Sequence, residues 1–548
     1  MQGFLSHHEV AQASSTSSDT ALKVARKWLS NCCTNHNTCE LMASQASRRY
    51  LPERLIGIRR QPDSDWRLVL DTQSLPENTT YMTLSHRWGV REFLNLTTET
   101  MSLLVSGMAL NGLPQTFQDA IYVVKKLRCD YLWIDSLCIL QGNDEKALRD
   151  WQAQSRAMRH VYANSKCNIA ATQASDCSRG LFSSRVPTDV HPPTLNIANV
   201  MEGGQVEYVI HDIDFWREHI EKSPLIERAW VLQERLLAPR TIHFAEKQLF
   251  FECNEVNACE SFPRGMPDVI FGVRRASIKV DSVFTSYTLP DGNNNVGMDE
   301  HLFWDSVVSI YAGRDLTKSG DKLVALSGIA SMSQAITKDN YYAGLWESRF
   351  CTQLLWSILG CRRSNSELSQ RPSEYRAPSW SWASLDGRLY WAQMTLDRPP
   401  LSVSLVKVLS VETFPLTTET TGQLSGGYCL LRGVLRQADV YTDSSRNSAL
   451  TLEGSSELLG FLPDVAMPEG KIGVVCLPVG QYMLGPGPVT VERLVLSKGN
   501  TGEDKFSRIG HFRCQITQTL VALGMKVGKH GGLCTWCTVT SLQTVKII

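Results

Sequence analysis

Two hydrophobic patterns alternate along the first half of the chain, one with helical spacing and one in short apolar runs. Leu22, Ala25, Trp28, Leu29 and Cys32 recur every three or four positions and predict a helix behind Asp19, the capping candidate. The Ser/Thr/Gln-rich residues 1–20 before it are expected to be disordered. Trp66–Leu70 (WRLVL) and Thr80–Ser85 (TYMTLS) read as strands. Leu113-Pro114 then opens a helix: proline suits a first turn, and Phe117, Ala120, Ile121, Val124 and Leu127 share one face. Tyr131–Asp135 (YLWID) is a buried-strand run, a long polar helix is predicted from Glu145 to Tyr162, and Cys167–Thr172 (CNIAAT) is a further strand. Strands separated by helices of this length predict α/β units around a mainly parallel sheet. TYMTLS, YLWID and CNIAAT should be neighbours in it, with the 114–127 helix as a crossover.

The pattern changes further on. Ile242–Cys253 (IHFAEKQLFFEC) reads as a hairpin, 289–298 as a loop, and His301 to about Arg363 as helical. Trp380 and Trp382 flank Ser381 between Ala377-Pro378 and Asp386-Gly387, which predicts a strand with both indoles on one face. From Pro400 onward, runs such as YCLLRGVL and KIGVVCLPV between Gly/Ser turns predict a small β-rich domain. The expected organisation is a disordered 1–20, a lead-in at 21–76, an α/β domain at 77–235, a hairpin and helical region at 236–399, a β-rich domain at 400–515 and an atypical tail at 516–548.

Composition narrows the function classes. The 55 basic residues balance 55 acidic ones, which argues against a nucleic-acid or membrane-surface binder, since both need a basic excess. At 43% hydrophobic and 20% charged the 548-residue chain is globular in type. No run approaches the roughly 18 apolar residues of a membrane span. The N-terminus lacks the basic and apolar regions of a secretory signal. Sixteen cysteines are far fewer than a disulfide scaffold carries, so free thiols in a reducing cytoplasm are expected.

Three clusters could carry chemistry. Asp135-Ser136-Leu137-Cys138 follows the strand YLWID, and residues at the carboxyl ends of parallel strands line ligand crevices. Asp135 is either a ligand group or a local cap. Cys138 is a nucleophile only if His86 lies beside it, and is otherwise a small core residue. Ser85-His86-Arg87-Trp88-Gly89 closes TYMTLS: Gly89 permits a positive φ, and Ser85 or Arg87 could hold an anion, against the plainer reading of a turn with a packed indole. Trp230 and Glu234 sit one helical turn apart, so a carboxylate lies beside an indole. It could have a raised pKa or stabilise a cation, unless Arg228 or Arg235 locks it in an ion pair. Cys32-x-x-x-His36-x-x-Cys39 offers metal-ligand types, but a structural site needs four and no suitable partner lies near in sequence, so no metal is assigned. Cys253, Cys259 and the Cys534-x-x-Cys537 pair are no more persuasive. Walker, GxGxxG, GxSxG and HExxH motifs are absent.

In order, LPERLI (51–56), YMTLSHRWG (81–89), LPQTFQDAI (113–121), YLWIDSLCILQ (131–141), MRHVYANSKCNIAAT (158–172), GLFSSR (180–185) and RAWVLQERLLAPRTIHF (228–244) resemble the fungal heterokaryon incompatibility (HET) domain family. DLTKSGDKLVALSGIA (315–330), YYAGLWE (341–347), YRAPSWSWASLDG (375–387) and FSRIGHF (506–512) resemble its full-length members. The likeness spans about 20–515, with His86 where the family usually has an aromatic residue; the tail after Cys514 lacks family features. It implies a TIR-like, flavodoxin-like HET domain at 77–235, and a role in non-self recognition and programmed cell death with a protein partner. By likeness to TIR enzymes it also implies NAD as a substrate, with no cofactor otherwise. The W-x-x-x-E spacing of Trp230 and Glu234 carries that implication, Glu234 stabilising the ribosyl cation. The catalytic candidates are thus Glu234, Asp135 and Ser85, and the ligand-binding ones Arg87, Trp88, Arg228 and Trp230. The alternative is an accessory or tailoring protein of secondary metabolism acting on a small molecule at the same residues.

Overall fold

The computed structural model describes residues 13–40, 50–58, 65–190, 194–199, 204–210, 212–267, 270, 300–359, 369, 371–391, 403–445, 447–483, 489–499, 505–515 and 542–548. Residues 1–12, the 289–298 loop and the Cys534/Cys537 pair lie outside them. Two units divide the chain, Met1–Asp299 and Glu300–Ile548. Among the described residues no helix is long and apolar enough to cross a membrane.

In the first unit, helix α1 (Asp19–Asn35) buries the predicted stripe of Leu22, Ala25, Trp28, Leu29 and Cys32. Its cap is Ser18 rather than Asp19. Ser18 keeps extended backbone angles and its hydroxyl accepts from the Ala21 N–H at 3.1 Å, while Asp19 is already helical and pairs with Lys126 at 2.7 Å. The strands follow as β1 (Leu55–Ile58), β2 (Trp66–Val69) and β3 (Met82–Ser85). Helix α2 (Gln115–Lys126) leads to β4 (Tyr131–Trp133), and α3 (Glu145–Ala163) leads to β5 (Cys167–Ala170). After a hairpin, β6 (Thr194–Asn199) with β7 (Gly204–Val209), come α4 (Ala229–Leu237), β8 (Arg240–Phe244), β9 (Leu249–Cys253) and β10 (Asn257–Cys259).

Eight of these strands form one sheet in the order β10-β9-β8-β5-β3-β4-β1-β2. The strands expected to be neighbours are so: β3 pairs in parallel with both β4 and β5, and β5 with β8. Each step within β3–β4–β5 is spanned by a helix, the crossover that parallel pairing requires. The sheet is mixed rather than mainly parallel, because both edges are antiparallel. Turns of three or four residues join β8, β9 and β10, too short to reverse the chain's direction twice. All four residues of β3 are buried, as expected of a central strand with covered faces.

The second unit is not simply helical before its β-rich part. Helices Glu300–Tyr311 and Val324–Thr337 are followed by the hairpin Tyr341–Tyr342/Leu345–Trp346 and by Trp356–Leu359 paired with Arg388–Trp391. Trp380 and Trp382 do not form a strand. Ser381 caps a short 3-10 turn, Trp382–Ser384, accepting from the Ala383 N–H at 3.0 Å and donating to the Ala343 carbonyl at 2.5 Å. A hydroxyl that bonds its own backbone competes with strand pairing. Both indoles are nevertheless fully buried, and Trp382 Nε1 donates to the Gly344 carbonyl at 3.1 Å. From residue 403 onward an eleven-stranded sheet forms, as the pattern predicted, and Gln543–Ile547 of the tail lies between Leu424–Gly433 and Lys505–Gln515 within it.

Candidate functional site

The candidate site is assembled where β3, β4 and β5 end. Ser85 is the last residue of β3, and Asp135 follows β4 after Ile134. Because side chains alternate along a strand, Thr83 and Ser85 point to one face. There both meet the Asn168 amide of β5, Thr83 Oγ1 at 3.0 Å from Oδ1 and Ser85 Oγ at 3.0 Å from Nδ2. Helix α4 packs against α3, bringing Glu234 to Tyr162. The Ser85 and Tyr162 hydroxyls lie near enough to the Glu234 carboxyl to act on its pKa, and Asp135 lies within electrostatic reach of it. The structure thus brings together Glu234, Ser85 and Asp135.

Electrostatics set Glu234 apart. The residue is 3% exposed, and burial pushes its carboxyl up to about 7. Arg228 charge and the Ser85 and Tyr162 hydroxyls hold it down, while Asp135 reinforces the rise. Among the described residues no ion pair joins it to either arginine. The Arg228 guanidinium donates to the His86 carbonyl instead, and Arg235 is bound to buried Glu252 at 2.6 and 2.8 Å. Tyr162, fully buried beside these carboxyls, is pushed well above its usual range, chiefly by burial.

Around this centre lies a second group. Trp88 Nε1 donates to Asp135 Oδ2 at 3.0 Å, and Asp135 Oδ1 accepts the Ser136 N–H at 2.7 Å. Asp135 therefore both opens the short helix Asp135–Cys138 and anchors an indole. The Asp135 side chain is 19% exposed. His86 is buried, its Nε2 3.8 Å from Asp135 Oδ1 and its ring edge-on to Phe117 at 4.8 Å. Burial lowers its pKa to about 4 against the pull of Asp135, so the imidazole is neutral at pH 7. Gly89 does adopt a positive φ, +80°, and a Cβ there would lie 2.5 Å from the Asp176 Cβ.

Other candidates fall outside the cluster. Arg87 Nη1 donates to the Pro224 carbonyl at 2.7 Å and lies 3.5 Å from Glu227, so it ties the turn to the 224–227 segment. Trp230 is half-buried one turn before Glu234 on α4. Cys138 is buried and its thiol is pushed up to about 12 by that burial, the opposite of nucleophile activation. Asn168 and Tyr162 were not singled out from sequence. Both fall in the family-like run MRHVYANSKCNIAAT, and an amide inside the apolar strand CNIAAT was a further signal for Asn168.

No curated protein and no solved structure matches the chain. Ser85, Asp135, Tyr162, Asn168 and Glu234 all fall within one segment that does match a known family. Residues 81–234 match the family described as heterokaryon incompatibility protein (HET).

Proposed function

We propose that this chain is an effector of heterokaryon incompatibility, acting in non-self recognition and cell death, and that the Glu234 cluster is its reactive centre. The observation that carries the proposal is a carboxyl buried at the ends of parallel strands, in no ion pair among the described residues, its pKa raised to about 7. Ionisable groups with pKa values strongly shifted by burial are concentrated at functional sites, because catalysis needs them. The parallel strands supply a second support. Taken in chain order, β3, β4, β5 and β8 stand in space as second-first-third-fourth. That is the start of a flavodoxin-like order, whose ligand crevice lies where the order reverses, beside Ser85 and Asn168. The TIR-like reading of the domain rests on this order.

The chemistry proposed is cleavage of NAD. The bond between the ribose C1′ and the nicotinamide nitrogen breaks, the electron pair leaving with nicotinamide. Glu234, as carboxylate, faces the developing ribosyl cation, with the Ser85 and Tyr162 hydroxyls orienting it. Water then adds at C1′ and releases a proton, giving ADP-ribose. Asp135 is the partly exposed member of the group, its side chain 19% exposed.

Purified chain incubated with NAD should release nicotinamide, at a rate rising with pH through about 7 as Glu234 ionises. Glu234→Gln should abolish both that release and the toxicity of overexpression in a fungal host, with the fold retained. A wild-type chain that is toxic yet leaves NAD intact would rule out the chemistry. Equal toxicity of wild type and Glu234→Gln would remove the cluster from the function altogether.

A further inference from the structure

Away from the Glu234 cluster, four side chains from distant parts of the first unit converge. Cys32 lies in the last turn of α1, and His36 caps that helix with extended backbone angles. Residues 37–40, which carry Cys39, are helical again. The fourth member, Cys253, is the last residue of β9, more than two hundred positions later. One ligand atom from each of the four lies within 4.8 Å of every other. The three cysteines are fully buried and all are free thiols.

We propose that Cys32, His36, Cys39 and Cys253 bind one zinc ion. Zinc–sulfur bonds of about 2.3 Å place tetrahedral ligands about 3.8 Å apart, so the present separations close on an ion with small side-chain movements. Three thiolates and an imidazole suit a borderline-soft tetrahedral cation and match the composition of structural zinc sites. The surroundings are those a thiolate needs. The Val256 N–H points at Cys253 Sγ from 3.3 Å, and Arg240 Nε at Cys32 Sγ from 3.1 Å. Three thiolates on a divalent cation leave one negative charge, and the guanidinium of Arg240, itself buried, balances it. His36 Nδ1 faces Cys253 Sγ at 3.3 Å, while its Nε2 lies 3.1 Å from the Asn31 amide, which holds the ring in that orientation.

With all four positions filled by protein, the zinc is structural: no site is left for water or substrate. It fastens α1 to β9, the strand next to the sheet edge, beside the stacking of Trp28 on Phe251 at 5.8 Å. Both α1 and β9 lie outside the family-matched segment 81–234, so the metal joins two flanks of that segment.

Elemental analysis of the purified full chain should find about one zinc per chain. Cys253→Ser and His36→Ala should lose it, and Cys33→Ser, at an exposed neighbour, should keep it. Since a ligand variant can fail to fold, wild-type chain exchanged with cobalt is the second measurement. Tetrahedral thiolate coordination gives intense visible bands and sulfur-to-cobalt charge transfer. A wild-type chain that takes up neither zinc nor cobalt overturns the proposal, as does zinc retained by Cys253→Ser or lost by Cys33→Ser.

Discussion

Glu234→Gln should make the first unit more stable at pH 8 while removing its function. The carboxyl moves from an ordinary 4.5 to about 7 on folding, chiefly through burial. A group with a raised folded pKa contributes no pH-dependent loss below 4.5, where both states hold the proton. Between 4.5 and 7 the unfolded chain has released its proton and the folded one retains it, so stability falls as pH rises, and flattens above 7. At about 1.4 kcal/mol for each tenfold change, the full loss is about 3 kcal/mol. Glutamine keeps the size and an acceptor for one hydroxyl but carries no charge to bury. Its unpaired amide returns part of the gain, leaving the variant roughly 1–2 kcal/mol more stable at pH 8 and unimproved at pH 4. Urea unfolding followed by hydrogen exchange across 228–237 measures this locally, at both pH values, without requiring the two units to unfold together. A Gln variant less stable than wild type at pH 8 would refute the reasoning. Glu234 would then be a structural carboxylate whose bonds outweigh its burial.

His86, lowered to about 4 from an ordinary 6.5, acts with the opposite sign. Stability should fall as acid takes pH from 6.5 through 4, and His86→Phe should remove that slope in a series of melts. Arg235→Met would take the guanidinium from the buried Glu252 carboxylate, which keeps His243 at 3.4 Å, and should cost about 3–5 kcal/mol by chemical denaturation; a cost below about 1 kcal/mol would mean that the pair contributes little. Gly89→Ala should cost roughly 1–3 kcal/mol, from its positive φ and the Asp176 contact, and a melting point equal to wild type would show that the turn relaxes freely. Trp382→Ala, emptying a fully buried site, should cost about 3–5 kcal/mol by the same measure, without changing nicotinamide release.

Much of the local structure was legible in the order of residues. Periodicity suffices for α1, α2 and α3 because a helix needs one apolar face and its backbone bonds are internal. The alternation of those helices with TYMTLS, YLWID and CNIAAT also implied which strands lie side by side, since parallel neighbours require a crossover. The motifs carried the family, and the matched segment 81–234 lies within the span they cover. Where local signals competed, the reading failed: Ser18 displaced Asp19 as the cap, and Ser381 turned an apparent strand into a 3-10 turn. The hairpin at 242–253 was legible too, but position in the sheet was beyond reach, and so it was missed that antiparallel strands flank the parallel ones on both sides. The spacing of Trp230 and Glu234 placed a carboxylate on a helix, but only tertiary packing could bury it near Ser85 and Tyr162 while pairing Arg235 with Glu252 and leaving Arg228 to act on it by charge alone. The same holds for Cys253, whose sulfur joins Cys32, His36 and Cys39 across the whole first unit. Charge burial and ligand geometry depend on through-space distance, which a linear pattern records only when the partners are neighbours in the chain.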